Sequence, residues 1–174
     1  MAAVRCLGLA LLLFTPCALA APSALPAIED NETLDSLMAS RLAPDNTFVA
    51  LQAPRTLRLR GSVDRLPAPG KTQYMTESLA MLGLPALKVS NKMWLRSARG
   101  ERVMVYVADE VAERIKGGSR AGADITVIAL YLWNSRHGPG LLVTDVKLPP
   151  AGSWPVVKTR VGGWFGVSEA GAAR

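Results

Sequence analysis

DITVIALYLWNSRHGPGLLVTDVKL, residues 124–148, is the stretch that decides the fold. Residues 125–133 are apolar at nearly every position and rich in β-branched and aromatic types, which predicts a strand with both faces buried. The Gly-Pro-Gly of 138–140 is predicted to break the strand, and the apolar pattern resumes over 141–148. The stretch therefore predicts a central hairpin with an exposed polar turn over 134–140.

The segment 56–66 shows the clearest alternation of apolar and polar residues in the chain. Leu57, Leu59 and Val63 share one face, and mainly charged or hydroxylated residues occupy the other, which predicts a half-buried strand. Gly61 lies on the apolar face and indicates a bulge or a sharp bend. Such a bend would let one strand join two halves of a curled sheet. The prolines that follow residue 66 are predicted to end the strand.

A second hairpin and a helix are predicted between these two segments. Residues 88–97 and 102–107 favour β structure on either side of Ala98-Arg99-Gly100. The segment 109–116 has acidic residues at its start, apolar residues along one side and two glycines after it. This pattern predicts a helix capped by Asp109.

Two other short helices are predicted nearer the N-terminus. Four apolar residues fall at helical spacing before Pro44: Leu34, Leu37, Met38 and Leu42. Asp30 or Asn31 is the predicted cap of that helix. We expect it to pack on the core, with partner binding as the alternative. A weaker helical pattern covers 74–83.

The first twenty residues have the three parts of a secretory signal peptide. Arg5 precedes a short apolar run, and Ala18-Leu19-Ala20 forms a cleavage site. The run is shorter than the roughly 20 residues of a membrane-spanning helix, so we expect cleavage before Ala21. Lipid attachment at Cys17 is an alternative, although Pro16 stands where a small residue usually precedes such a cysteine. The predicted location is the periplasm or the cell exterior.

Length and charge predict one mildly basic domain. A chain of 174 residues can form one domain with a core but not two of ordinary size. We expect a lead-in with a short helix over 21–54, the domain over 55–148 and a Pro/Gly-rich extension over 149–174. The net charge of +6 favours an anionic partner, and export argues against nucleic acid. An ordinary solvated surface is the alternative. Trp164 and Phe165 make peripheral membrane contact by the extension an alternative, but edge-strand packing or disorder is the favoured interpretation.

The order of these elements resembles that of the OB fold. A strand with an internal glycine, a long connection, a hairpin, a short helix and a final hairpin follow one another over residues 55–148. The chain is similar in this order to small OB-fold domains of bacterial periplasmic and envelope proteins of poorly defined function. The resemblance implies a mainly β fold, a five-stranded OB-like barrel with a short helix between strands 3 and 4, plus an N-terminal helix. Another small β-barrel, a sandwich or a different α+β arrangement are the alternatives.

The resemblance also implies a ligand-binding face. OB folds commonly bind on their second and third strands and on the loops beside them. The corresponding residues of this chain are Trp94, Arg96, Met104, Tyr106, Trp133, Arg136 and His137. Aromatic rings beside arginines can stack on flat groups and hold anions. The alternative interpretation places Trp94 and Trp133 in the core and makes His137 a solvated turn residue.

Residue counts exclude several classes of catalytic site. Cleavage before Ala21 would remove both cysteines and leave His137 as the one histidine, so cysteine nucleophiles, cysteine-rich zinc sites and two-histidine metal sites are excluded. The sequence contains no nucleophile elbow, phosphate loop or dinucleotide fingerprint. We expect no catalytic residue, no metal and no cofactor. A hydrolase that uses His137 with Ser135 or Asp145 is a remote alternative.

The sequence thus favours an exported, non-enzymatic binding module. Its partner would be an anionic small ligand, an envelope polymer or an envelope protein. A structural subunit of a cell-envelope assembly is the alternative, with the 34–42 helix or the C-terminal extension as its docking element.

Overall fold

Six strands and three helices form the part of the chain that the structure describes. The computed structural model describes residues 25–148. In chain order the elements are β1 (Ile28–Glu29), α1 (Leu34–Ala39), β2 (Ala50–Pro69), α2 (Gln73–Met81), β3 (Asn91–Arg96), β4 (Arg102–Val107), α3 (Asp109–Gly118), β5 (Asp124–Ser135) and β6 (Gly138–Lys147). The predicted mainly β fold is confirmed. The predicted signal peptide over 1–20 and the extension over 149–174 lie outside the described residues.

Strand β2 closes five of the strands into a ring. It pairs with β5 from Ala50 to Ser62 and with β3 from Ser62 to Pro69, antiparallel in both cases. The remaining neighbours are β3 with β4, β4 with β6 and β6 with β5, so the sheet returns to β2. The change of partner at Ser62, next to Gly61, lets one strand serve two halves of the sheet, as predicted. The register is irregular around Arg65, not at Gly61 itself.

Alternate residues of the five strands fill the interior of the ring. One side of α3 joins them, through Val111, Ala112 and Ile115. The strand residues of this inner core are Leu57, Leu59, Val63, Met93, Leu95, Val103, Val105, Val107, Ile125, Val127, Ala129, Tyr131, Leu141, Val143 and Val146. The predicted inward faces of 56–66 and 102–107 are therefore confirmed.

A second apolar cluster lies on the outer face of the ring, beneath α2. Its buried members are Met75, Leu79, Val89, Tyr106, Leu130, Leu132, Trp133 and Leu142. Because β5 gives Val127 to the inner core and Leu130 to this outer cluster, both faces of β5 are buried, as the apolar run predicted.

Elements β1 and α1 precede the ring and pack against it. β1 pairs in parallel with β2 at Thr56 and Leu57. The apolar residues of α1 are buried in the inner core: Leu34, Leu37 and Met38. Gly61 makes room for α1, because a Cβ at Gly61 would lie 2.7 Å from Cδ1 of Leu34. The inner core thus includes residues before 55, the predicted start of the domain.

The cap of α1 differs from the predicted one. Thr33 is the N-cap, and its hydroxyl accepts a hydrogen bond from the Ser36 amide while the Ser36 hydroxyl accepts one from the Thr33 amide. Two otherwise unpaired amides are satisfied in this way. The predicted cap at Asp30 or Asn31 is wrong.

Asp109 is the first residue of α3 and not its cap, so that prediction is wrong as well. Ala108 takes the cap position, without a side-chain hydrogen bond. The Asp109 carboxylate accepts hydrogen bonds from the Ser90 hydroxyl at 2.7 Å, the Ser90 amide at 2.8 Å and Nδ2 of Asn91 at 3.0 Å. These hydrogen bonds, that of the Ser90 hydroxyl first, lower the pKa of Asp109. They tie the start of α3 to the start of β3.

The turn of the central hairpin is shorter than predicted. Ser135 pairs with Gly138, so Arg136 and His137 alone reverse the chain. Gly138 has a φ of 111°, which glycine adopts without strain, and this lets the strand resume at once. Residues 138–140 belong to β6, so the predicted break there is wrong. Asn134 and Ser135 are also buried, where the sequence predicted exposure.

Candidate functional site

Five of the seven predicted ligand-binding residues line one groove on the outer face of the ring. They are Trp94 from β3, Met104 and Tyr106 from β4, Trp133 from β5 and His137 from the hairpin turn. The groove has a volume of about 590 Å³, and Val49, Tyr74, Lys92 and the start of β6 are among the residues that complete its wall. Arg96 and Arg136 lie outside its lining.

Trp133 shapes the groove from beneath. Its ring centroid lies 4.9 Å from that of Tyr74 and 5.9 Å from that of Tyr106, both in edge-to-face arrangements. The indole packs against the backbone at Gly140, where a Cβ would lie 2.0 Å from Trp133 Cε2. With 6% of its surface exposed, Trp133 is a core residue, as the alternative interpretation proposed.

Trp94 is an open aromatic surface of the groove, as is Tyr74, which is 40% exposed. Trp94 is 37% exposed and lies directly across from Met104 on β4 and Arg65 on β2. Alternation along β3 places Lys92, Trp94 and Arg96 on the same outer face. The core interpretation therefore fails for Trp94, which presents its ring to solvent on a strand that carries cations on both sides of it.

Lys92 is the cation of the groove. Its Nζ lies 4.9 Å from the ring centroid of Tyr106, the residue paired with it across β3 and β4. Burial raises the pKa of the Tyr106 phenol, so this ring stays neutral at ordinary pH. Because the ammonium group carries three N–H donors, contact with the ring leaves Lys92 able to bind an anion.

Arg96 is held by a carboxylate instead of being presented to the groove. Its guanidinium and that of Arg102 both pair with Asp64, and the Arg102 Nε lies 3.1 Å from the Asp64 carboxylate. The Asp64 side chain is 7% exposed, so two guanidinium groups compensate one buried charge. The three side chains together keep one net positive charge close to Trp94.

Arg136 and His137 are the exposed residues of the hairpin turn. Nε of Arg136 donates to Nε2 of His137 at 3.1 Å. The Ser135 hydroxyl donates to the carbonyl of Gly138 and accepts from the backbone amide of His137. Asp145 lies near the far end of β6, paired with an arginine of α3. The hydrogen-bonded chain from Ser135 through the His137 ring to an acid, which the hydrolase alternative needs, is not formed among the described residues.

Among the groove residues that the sequence analysis did not assign to the ligand face are Val49, Tyr74 and Lys92. Lys92 is two positions before Trp94 on a predicted strand, so the period of two could have found it. Tyr74 belongs to α2 and Val49 lies just before β2. No local sequence pattern predicts that either residue reaches the groove.

Within residues 25–148, no group of three or more His, Cys, Asp or Glu side chains is placed to hold a metal ion. No helix of that range is both long enough and apolar enough to cross a bilayer.

No protein-family model matches the chain, and no curated protein matches it at a significant level. The geometry of the groove is therefore the basis for inferring a function.

Proposed function

We propose that the protein is an exported, non-enzymatic binding module that holds an anionic ligand in the groove over Trp94. A flat part of the ligand stacks on the Trp94 ring, and Lys92 binds its anionic group. The observation that carries the proposal is the open ring of Trp94 beside Lys92, in a groove of about 590 Å³. Grooves that bind small molecules commonly measure about 300–1,000 Å³.

The chemistry of the lining supports a ligand with both apolar and charged parts. Aromatic and aliphatic side chains make up most of the wall, and the few polar groups include Lys92, Ser135 and His137. Such a lining binds by apolar contact and orients the ligand through few polar contacts. An indole ring contributes large contact area at a small loss of side-chain entropy.

An OB-like architecture is part of the proposal. Counted from β2, the strands follow one another around the ring as first, second, third, fifth and fourth, and the third and fifth run parallel. α3 lies between the third and fourth strands in the chain. We propose that this ring is an OB-like barrel to which α1 is added as an N-terminal helix. The groove then lies on the second and third strands and on the hairpin between the fourth and fifth, regions that OB folds commonly use.

Export is proposed from the sequence of residues 1–20. The mature protein should begin at Ala21, and its intact mass after recovery from the periplasm or the medium measures this directly. A mass that retains Met1, or one that carries a fatty acid on Cys17, would contradict the proposed cleavage.

Titration with 8-anilinonaphthalene-1-sulfonate tests whether the groove binds such a ligand, because this dye combines flat aromatic rings with one sulfonate group. We expect saturable binding with energy transfer from tryptophan, and roughly tenfold weaker binding by Trp94→Ala. Lys92→Met should weaken binding of this dye but not of N-phenyl-1-naphthylamine, which has the rings without the sulfonate.

Arg99→Ala is the matched control, since Arg99 is exposed in the turn between β3 and β4 and lies outside the groove lining. Trp94 belongs to neither apolar cluster, so Trp94→Ala should melt near the parent temperature. Equal dye binding by the parent and Trp94→Ala would overturn the proposal.

A protein partner is the second candidate, favoured by an exposed apolar strip beside the groove. Phe48 is 64%, Leu51 43% and Val49 36% exposed, and Val49 also lines the groove. Exposed apolar patches of this kind often mark protein contacts. Sedimentation velocity of the parent and of a Phe48→Ser, Leu51→Ser double variant tests this candidate. Self-association of the parent that the double variant loses would favour a protein partner. If the parent and the variant are both monomeric, the partner is not a second copy of this chain.

A further inference from the structure

A second cavity lies on the ring, with no residue in common with the groove. Its volume is about 700 Å³, and it forms where β2 changes partner. The polar side chains that line it are Arg60, Ser62, Arg96, Ser97, Asp124, Thr126 and Lys147. Three cations, three hydroxyl groups and one carboxylate give this cavity a net positive lining.

The register of the sheet places two of these cations on either side of a hydroxyl. Thr126 of β5 pairs with Arg60 of β2 on one side and with Lys147 of β6 on the other. Directly paired residues project from the same face of a sheet, so all three side chains share the outer face. The Cα atoms of Arg60 and Lys147 are two strand spacings apart, about 9–10 Å, a gap that two long side chains can close around one small anion.

The charges of Arg60 and Lys147 are not compensated within the described part of the chain. Neither side chain makes an ion pair or a hydrogen bond with another residue of 25–148. Both residues are exposed, and Thr126 is half-buried between them. Arg96, by contrast, is already paired with Asp64.

Asp30, Glu32 and Asp35 share a pocket wall with Arg60, and Asp124 lines the cavity itself, but none of the four forms an ion pair with Arg60 or Lys147. Asp30 accepts from Arg58 Nη1 at 2.7 Å, and Asp145 accepts from Arg114 Nη1 at 2.7 Å. Asp124 of β5 lies across from Ser62 of β2, two residues along the strands from the pair of Arg60 and Thr126. Among the described residues, Arg60 and Lys147 therefore lack an ion-pair partner.

We propose that Arg60, Thr126 and Lys147 form an oxyanion site that binds a phosphate or sulfate group. The guanidinium fork of Arg60 takes two oxygens of a tetrahedral anion. The Lys147 ammonium binds a third oxygen, and the Thr126 hydroxyl donates to the anion from below. This site is independent of the groove and stands whether or not the groove binds a ligand.

Titration of the ¹⁵N-labelled full chain with inorganic phosphate, at constant ionic strength in chloride, tests the site. We expect saturable shifts of the backbone amides of Arg60, Thr126 and Lys147. Arg60→Gln and Lys147→Gln should each bind phosphate roughly tenfold more weakly, because each removes one charge-assisted contact. Arg99→Gln is the matched control, since it removes an exposed cation that lines neither the cavity nor the groove and should bind as the parent does.

Three outcomes would overturn the proposal. They are the absence of saturable shifts, equal affinity in the parent and both Gln variants, and shifts spread over every exposed cation. All variants change exposed residues, so their spectra should keep the dispersion of a folded protein.

Binding to vesicles distinguishes the two possible sources of such a phosphate, a lipid headgroup and a soluble ligand. Binding to phosphatidylglycerol vesicles, but not to phosphatidylcholine vesicles, that both Gln variants lose would assign the site to an anionic lipid headgroup. Phosphate binding without vesicle binding would assign it to a soluble phosphorylated or sulfated ligand.

Discussion

The inner face of the five-stranded ring is apolar and closed, whereas the outer face is apolar beneath α2 and only partly covered there. Inside, alternate residues of the strands meet one another and one side of α3. Outside, α2 covers Leu130 and Leu142 but leaves Trp94 37% exposed. The two faces differ in how far their apolar residues are covered, and the outer face also carries the charged residues of β2.

One short helix gives the outer face an opening of defined shape. α2 adds Met75 and Leu79 to the outer cluster and Tyr74 to the groove wall. A longer cover would bury the aromatic residues as core, and no cover would expose an apolar sheet. The partial cover leaves a groove bounded by paired strands, and side chains on such rigid elements are well placed to bind a ligand.

The largest expected effect tests whether both faces of β5 are closed to water. Val127 faces the inner core and Leu130 the outer cluster, and each is at most 1% exposed. A carboxylate buried at either position costs on the order of several kcal/mol, comparable with the total stability of a domain, about 5–15 kcal/mol. We therefore expect Val127→Asp and Leu130→Asp to be unfolded, or to melt far below the parent, by circular dichroism.

Thr126→Asp is the control for this pair, because Thr126 is on the same strand but half-buried on the outer face. It should melt near the parent temperature. If Leu130→Asp also melted near the parent temperature, α2 would not exclude water from the outer cluster, and burial of the outer face of β5 would be contradicted.

The next effect concerns the outer face alone. A Cβ at residue 140 would lie 2.0 Å from Cε2 of Trp133, so Gly140→Ala must displace the indole from the strand. Overpacking of this kind costs about 1–3 kcal/mol. We expect a lower free energy of unfolding in urea and weaker dye binding, because the floor of the groove moves.

Gly117→Ala is the matched control for Gly140→Ala. Gly117 lies in α3, and a Cβ there would meet no atom within 4 Å. Since alanine favours a helix over glycine by up to about 1 kcal/mol, this variant should be as stable as the parent or more so. Parent-like stability and dye binding in Gly140→Ala would show that Trp133 has room to move.

The inner face could be predicted from sequence because alternation is a local property of each strand. The apolar positions of 56–66 and 102–107 indicated which residues point inward without any knowledge of their partners. The run of 125–133 likewise predicted burial on both faces. The prediction for residues 138–140 was wrong because their glycines suggested a loop. Gly138 instead adopts the positive φ that the turn requires, and Gly140 makes room for Trp133.

The candidate site was only partly predictable because it depends on contacts between distant segments. The resemblance to the OB fold brought Trp94, Met104 and Tyr106 together on neighbouring strands. It could not show that Asp64 binds Arg96, since that contact depends on the irregular register of β2 around Arg65. Nor could it show that Tyr74 of α2 lines the groove, since the sequence does not fix the path of the long connection between β2 and β3.

A smaller, pH-dependent effect is expected where α3 joins the inner core. Hydrogen bonds from Ser90 and Asn91 lower the pKa of Asp109 below its ordinary 3.8 in the folded protein. The folded state thus favours the carboxylate more than the unfolded state does. Asp109 adds stability above the unfolded pKa of about 3.9, and this stability is lost as pH falls through the lower folded value.

Urea unfolding of the parent and of Asp109→Asn between acid pH and neutrality measures this contribution. The stability difference should grow as pH rises through the acid range and stay constant above it. Ser90→Ala should raise the pKa of Asp109 in an NMR titration, because the hydroxyl donor is lost. Parallel stability curves for the parent and Asp109→Asn would show that these hydrogen bonds do not favour the ionised carboxylate.

The smallest effect is expected at the rim of the outer face, from Arg136→Ala. Arg136 is exposed, and within residues 25–148 its side chain hydrogen-bonds to the neighbouring His137 alone, so the free energy of unfolding should change by less than about 0.5 kcal/mol. The sequence assigned Arg136 to the ligand face, yet it lies outside the groove lining, so its loss should weaken binding of the anionic dye less than Lys92→Met does. Added salt should shrink that loss, because exposed charges are screened within about 10 Å at 0.1 M. A clear drop in melting temperature would assign Arg136 a structural role in the turn, and a loss of binding equal to that of Lys92→Met would extend the groove across the turn.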